Sequence, residues 1–120
     1  LQHPCERETT PMFKIDQTPT FTHRVEIKVP SGGGHEVQDM LVTFRVLPDA
    51  EVEAFDMRTA RGEREFLGAV VQDFDDVEDE QGKKLPYSHA LRDRLIGLAY
   101  VRVAMINAYY AALMGKRVKN

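Results

Sequence analysis

The sequence predicts an α+β fold in which an N-terminal β-hairpin, at about residues 22–47, precedes three or four α-helices, the last long and apolar. Two patterns carry this prediction. Apolar and polar side chains alternate in two runs on either side of a glycine-rich turn, as in a half-buried hairpin. After residue 47, apolar side chains recur every three or four residues, as in amphipathic helices. A chain of 120 residues, 42% hydrophobic and 29% charged, suits one folded domain.

The hairpin prediction depends on two strands that each have an apolar face. The turn between them contains Gly33 and Gly34, which permit the positive φ angles of tight hairpin connections. In the first strand, residues 22–29, Val25, Ile27 and Val29 alternate with Arg24, Glu26 and Lys28. In the return strand, about residues 36–47, one face consists of Met40, Val42, Phe44 and Val46.

Two short helices are expected after the hairpin. Pro48 and Asp49 are typical of a helix start, and the first helix should direct Val52, Phe55 and Met57 inward. The second helix is expected at about residues 62–74. Its apolar face comprises Phe66, Leu67, Val70, Val71 and Phe74. The short connection favours antiparallel packing of the two helices.

The last helix is expected to begin after Ser88, a good N-cap residue, and Gly97 should kink or split it. Its inward stripe comprises Leu91, Leu95, Leu98, Val101, Met105, Ala108 and Ala112. A second apolar set covers much of the remaining circumference: Ile96, Tyr100, Val103, Ile106, Tyr110 and Leu113. Such a helix needs cover on most sides, so another subunit or a partner should supply part of it. The alternative is an ordinary core with tyrosines at its rim.

Composition narrows the functional classes. The net charge of -3 argues against a nucleic-acid binder. A single cysteine excludes an internal disulfide and favours a reducing compartment, the cytoplasm. A membrane span within residues 95–114 is rejected because Arg102 would lie near its centre. Residues 1–11 differ in character from the rest and are interpreted as an artificial leader or a disordered arm, with residues 12–120 as the single domain.

No catalytic or metal-binding pattern is found. His23, His35 and His89 are dispersed, without HExxH or neighbouring cysteines. The acidic run at residues 73–80 does not fit an EF-hand, because Gly82 at the sixth position would put Val77 first. We therefore expect no enzyme activity, no cofactor and no metal site.

The C-terminal half resembles a known family. An acidic turn closed by Gly82, then residues 85–88 (LPYS), a leucine-containing helix, Ala108-Tyr109 and a basic end at Lys119-Asn120 are similar to the tail assembly chaperones of long-tailed bacteriophages. The resemblance covers residues 66–120. Family members often have a tryptophan near the position of Phe74, and this chain has none.

The resemblance implies a non-enzymatic protein that coats the tape measure protein before tail tube polymerisation and is absent from the finished virion. It further implies that this chain is the short form of the protein, since family members are commonly also made in a longer form by a ribosomal frameshift. The expected location is the host cytoplasm. The expected partners are the tape measure protein, further copies of the chain and, as a second candidate, the major tail tube protein. A structural virion component, such as a minor tail or head-to-tail connector protein, is the alternative. A regulatory binding protein is a third class.

The expected interaction face lies on the last helix. It comprises Leu98, Val101, Met105, Tyr109 and Tyr110. Such a face could bind a partner helix or a second subunit. Aspartate at Val101 or Met105 should then abolish binding and leave the hairpin folded; if it unfolds the chain, those residues belong to the core.

Overall fold

In a computed structural model, which describes residues 10–15 and 18–115, the described residues form a three-stranded antiparallel sheet and four α-helices. The expected α+β class is confirmed, with the hairpin strands first and the helices after them. Most of the predicted leader (residues 1–9) and the basic end (residues 116–120) lie outside the described residues.

The hairpin consists of β1 (Thr20–Ser31) and β2 (Gly34–Arg45), joined by a two-residue turn in which Gly32 has φ +55°. Val25 pairs with Met40, and both side chains are buried on the face that the helices cover. The opposite face carries polar pairs such as Thr22 and Thr43, whose hydroxyl oxygens lie 2.9 Å apart. The predicted alternation is correct from Val25 to Phe44, but Val46 lies beyond β2 and is half-buried, and Leu47 is buried instead. β1 extends beyond both expected ends, and β2 begins and ends two residues earlier than expected.

The first two helices are shorter than expected. Helix α1 (Asp49–Val52) is a single turn, and Phe55 and Met57 reach the edge of the core from the loop after it. Helix α2 (Ala60–Val70) begins at Thr59, whose hydroxyl accepts a hydrogen bond from the N–H of Gly62 at 3.0 Å.

A third strand, β3 (Val71–Asp75), replaces the end of the predicted second helix. It pairs antiparallel with β2, with a bulge opposite Thr43 and Phe44. The expected helix at residues 62–74 is wrong from Val71 onward, because these residues satisfy the backbone hydrogen bonds of the β2 edge. The bulge lets Val71 and Phe74, three residues apart, both enter the core.

The last helix is split, as the position of Gly97 indicated. Helix α3 (His89–Ile96) starts at Ser88, which caps the N–H of Leu91 at 3.0 Å. Helix α4 (Ala99–Leu113) follows at an angle of 100°. α4 packs mainly against β1, and α2 packs against α3 and α4, so the core lies between the sheet and these helices.

Candidate functional site

The five residues predicted for the interaction face do not share one surface. Val101, Met105 and Tyr109 are 3%, 0% and 1% exposed and belong to the core of the chain itself. Leu98 and Tyr110 are 42% and 38% exposed. The reason is the direction of α4, which turns residues 101, 105, 108 and 109 toward β1 and α2. Only Leu98 and Tyr110 of the predicted interaction face are therefore exposed, and they lie at different places on the molecule.

Tyr109 occupies the centre of an aromatic cluster. Its ring centroid lies 5.2 Å from that of Phe66, 5.7 Å from that of Phe44 and 5.9 Å from that of Phe21. These separations are typical of favourable aromatic pairs in a core. The neighbouring Tyr110 instead stacks on Phe66 from the outside, with centroids 6.2 Å apart and rings 4° from parallel. Burial, followed by the proximity of Tyr109, raises the pKa of Tyr110.

One side of α4 remains uncovered in the described residues. Val103 and Tyr110, seven residues apart, are 53% and 38% exposed, and Leu113 and Met114 are 45% and 62% exposed. Ile106 is half-buried between them. We name this surface the outer α4 stripe: Val103, Ile106, Tyr110, Leu113 and Met114. It extends over about three helical turns, or about 16 Å, which is enough to contact one face of another helix.

A second apolar surface lies in a groove at the corner between α3 and α4. The groove has a volume of about 610 Å³ and opens between this corner, the far half of the hairpin and the loop at residues 76–80. We name it the elbow groove. Its apolar floor comprises Ile27, Val29, Met40, Val77, Leu95, Leu98, Tyr100 and Val101. Leu98 is the most exposed large apolar residue of this floor.

The rim of the elbow groove is acidic. It carries Glu36, Asp39, Asp76, Glu78, Asp79 and Glu80, and none of the lining residues is Lys or Arg. Arg24 neutralises two of these carboxylates, with ion pairs of 2.9 Å to Asp39 and 3.0 Å to Asp76. In the described part of the chain, no ion pair reaches the other four. The rim therefore keeps a net negative charge over an apolar floor.

The acidic loop, defined as residues 76–84, is held in a hairpin-like turn. The Asp79 carboxylate accepts hydrogen bonds from the N–H groups of Gln81 and Lys83, each at 2.9 Å. Gly82 adopts φ +83°, as expected at the tip of this turn. At its base, the N–H of Leu85 donates to the carbonyl of Val77 at 2.7 Å. Glu78, Asp79 and Glu80 of this turn line the elbow groove.

The acidic loop also borders a second cavity on its other side. This cavity has a volume of about 550 Å³ and includes Leu85, Leu91 and the basic Arg94 among its lining residues. It has six lining residues in common with the elbow groove: Val77, Glu78, Asp79, Glu80, Leu95 and Leu98. Leu98 therefore contributes apolar surface to both cavities.

The residues considered as candidates for chemistry are dispersed over the fold. His23 lies in β1, His35 lies in β2 and His89 begins α3. Within residues 10–15 and 18–115, no three His, Cys, Asp or Glu side chains are arranged to hold a metal ion. Ser88 is engaged in capping α3. What the described surface offers is apolar contact area with a local acidic rim.

The elbow groove was not predicted from the sequence, and the outer α4 stripe was predicted only in part. Val103, Ile106, Tyr110 and Leu113 belonged to the second apolar set of the last helix. The first set was assigned as the inward stripe, and its members Val101, Met105 and Ala108 are buried. The groove joins hairpin, loop and helix residues that are far apart in sequence. The usable signal was the acidic run at residues 73–80, which precedes the helical segment α3–α4 along the chain.

Among the described residues, no single helix has the length and hydropathy to cross a membrane. Only α3 and α4 taken together pass that test, and a bend of 100° separates them.

Comparisons of the chain with protein-family models, with curated proteins and with solved structures find no match.

Proposed function

We propose that this chain is a non-enzymatic tail assembly chaperone that binds the tape measure protein through the outer α4 stripe and so promotes assembly of the tail tube. The observation that carries the proposal is the row of exposed apolar side chains from Val103 to Met114. In a soluble protein, a continuous apolar row is commonly a binding surface. The resemblance of residues 66–120 to tail assembly chaperones is the reason for proposing the tape measure protein as the partner.

A tape measure protein is a very long helical chain with repeated apolar stripes, which aggregate unless covered. Helix-against-helix contact fits this partner, because apolar residues at spacings of three, four and seven can pack into the grooves of a facing helix. The outer α4 stripe has such spacings, from Val103 to Ile106, Tyr110 and Met114. In this function the chain acts in the host cytoplasm and leaves before the virion is complete.

The test is co-expression with the long helical tape measure candidate encoded in the same genome, followed by size-exclusion chromatography with light scattering. The native chain should make the partner soluble and co-elute with it in many copies. Val103→Asp combined with Tyr110→Asp should abolish this effect and leave the fold intact, because both side chains are already partly in water.

Val37→Asp provides a matched control. Val37 is 52% exposed and Val103 is 53% exposed, but Val37 lies in β2, away from the outer α4 stripe. Its replacement should leave partner binding unchanged. The proposal fails if the partner is indifferent to the native chain. If mass spectrometry also finds the chain in purified particles, a structural virion component replaces the chaperone.

A further inference from the structure

Four of the six rim carboxylates of the elbow groove lack a basic partner in the described structure, and the sequence contains a segment of matching chemistry. Glu36, Glu78, Asp79 and Glu80 form no ion pair among residues 10–15 and 18–115. Lys116, Arg117 and Lys119 place three positive charges around Val118, in a segment that lies outside the described residues. An apolar floor with a negative rim favours an occupant that is basic and has an apolar side chain.

We propose that the elbow groove of one copy binds residues 116–119 of a second copy. The lysine and arginine side chains face the rim carboxylates of Glu78, Asp79 and Glu80, and Val118 lies against Leu98 on the floor. The inference concerns association between copies and does not depend on the tape measure partner.

The geometry of α4 disfavours binding within one chain. Val101 lies in the groove floor, and Gly115 is fourteen residues further along, about 21 Å at the rise of an α-helix. The four residues 116–119 extend at most about 14 Å. In addition, α4 ends near Phe21, whereas the groove contains Val29, at the opposite end of β1. Both observations favour the groove of another copy over the groove of the same chain.

A contact between two different surfaces of the same chain can close reciprocally in a two-fold dimer, or it can repeat from copy to copy in a larger ring or an open chain. Each copy offers one groove and one basic segment, so both arrangements satisfy the charges of every copy. The contact is largely electrostatic at its rim and should weaken with salt. The Debye length falls from about 10 Å at about 0.1 M salt to about 3 Å at about 1 M.

The test is light scattering with the purified full chain at low and high salt, over a range of protein concentrations. At low salt the apparent mass should rise with concentration above the 13.7 kDa of one chain, and it should return toward that value at high salt. Two variants reverse the charges: Glu78→Lys with Glu80→Lys in the groove, and Lys116→Glu with Arg117→Glu in the segment. Each should remain at the mass of one chain.

Mixing the two variants is the decisive measurement. The native basic segment of the groove variant fits the native groove of the segment variant, and the two reversed surfaces also match. The mixture should therefore regain association. Glu51→Lys with Glu53→Lys is the matched control, because it makes the same charge change on exposed residues near α1 and should associate like the native chain.

The proposal is overturned if the native chain keeps the mass of one chain at every concentration. It is also overturned if the segment variant associates like the native chain, or if the mixture fails to recover. Association lost on Val103→Asp and retained on Lys116→Glu with Arg117→Glu would place the contact on the outer α4 stripe instead. Circular dichroism should show the same folded spectrum for all variants, since the substituted groove residues are exposed.

Discussion

The backbone N–H of Leu47 donates a hydrogen bond to the hydroxyl oxygen of Tyr109 over 3.2 Å in the buried core. Leu47 follows β2 and leads into α1, and Tyr109 lies near the end of α4. The contact therefore joins the exit of the hairpin to the last helix across 62 positions of sequence. A buried N–H without an acceptor destabilises the fold, so the hydroxyl of Tyr109 contributes to stability. The neighbouring Tyr110 lies at the surface.

Tyr109→Phe should lower the free energy of unfolding by about 1–3 kcal/mol, because it leaves the N–H of Leu47 buried and without its acceptor. Tyr110→Phe is the control: among the described residues, its hydroxyl makes no hydrogen bond to the protein, and the change should be close to neutral. Urea unfolding followed by circular dichroism measures both. Equal losses for the two variants would contradict the assignment.

Val101→Asp and Met105→Asp should unfold the chain. Both side chains lie in the core, where an unpaired carboxylate destabilises by at least about 4 kcal/mol, a large share of the roughly 5–15 kcal/mol of a typical domain. Val103→Asp, on the exposed side of the same helix, should remain folded. Thermal melts of the three variants measure these effects. A folded Met105→Asp chain would show that α4 does not direct Met105 into the core.

Gly62 and Gly68 in α2 should respond oppositely to alanine. A Cβ at Gly62 would overlap the backbone carbonyl of Asp56, whereas none of the surrounding atoms lies within 4 Å of a Cβ at Gly68. Gly62→Ala should therefore destabilise by about 1–3 kcal/mol or more. Gly68→Ala should stabilise by about 0.5–1 kcal/mol through the better helix propensity of alanine. Denaturant midpoints test both, and a stabilising Gly62→Ala would mean that the loop at Asp56 packs elsewhere.

The elements with local signals could be predicted from the sequence. The alternation around Val25 and Met40 identified the hairpin, and Ser88 and Gly97 identified the start and the break of the last helical segment. Strand β3 could not be predicted, because its bulge places Val71 and Phe74 on the same face at a spacing of three, which imitates a helix. Its conformation depends on the unpaired edge of β2, which lies far away in sequence.

The sequence predicted that an apolar surface would be exposed, but it did not predict which residues form that surface. Composition indicated apolar helix surface beyond the needs of the core, and the described residues expose such a surface at Val103, Tyr110 and Met114. The choice between the two apolar sets of α4 depends on the direction in which the helix leaves Gly97, and periodicity carries no information about that direction. Met105 was assigned both to the inward stripe and to the interaction face, Tyr109 was assigned to the interaction face, and both lie in the core.

Glu63 and Arg102 should form the ion pair that contributes most to stability. Their contact is 3.2 Å, and the side chains are only 28% and 10% exposed. Arg102 also donates to the carbonyl of Ile96 at 3.1 Å, which ties α4 to the end of α3. Glu63→Ala removes the partner of a largely buried charge and should cost about 1.5–3 kcal/mol.

Glu65→Ala provides the comparison for that pair. It breaks an ion pair with Arg61 in which the side chains are 53% and 83% exposed, and such pairs contribute about 0–1 kcal/mol. In chemical unfolding, Glu63→Ala should therefore lose clearly more unfolding free energy than Glu65→Ala. Similar losses would mean that solvent reaches Arg102 as freely as it reaches Arg61.

Acid should weaken the contact between Asp75, which directly precedes the acidic loop, and Lys84 at the end of that loop. The N–H of Asp76 and then the ammonium of Lys84, 3.1 Å away, lower the pKa of Asp75 below its ordinary 3.8. The same contact raises the pKa of Lys84 above 10.5. The carboxylate therefore stabilises the folded state fully above pH 3.8 and loses this effect as the pH falls through the lowered pKa. The Lys84 ammonium stabilises the folded state fully below pH 10.5, and this stabilisation is lost as the pH rises through the raised pKa.

Lys84→Met separates these contributions. The titration midpoint of the Asp75 carboxyl, followed by NMR, should rise part of the way toward 3.8, because the larger contribution from the N–H of Asp76 remains. Asp56 is the internal reference: Arg58 lowers its pKa independently, so its midpoint should stay unchanged. An Asp75 midpoint that does not move would show that Lys84 does not hold the base of the acidic loop in solution.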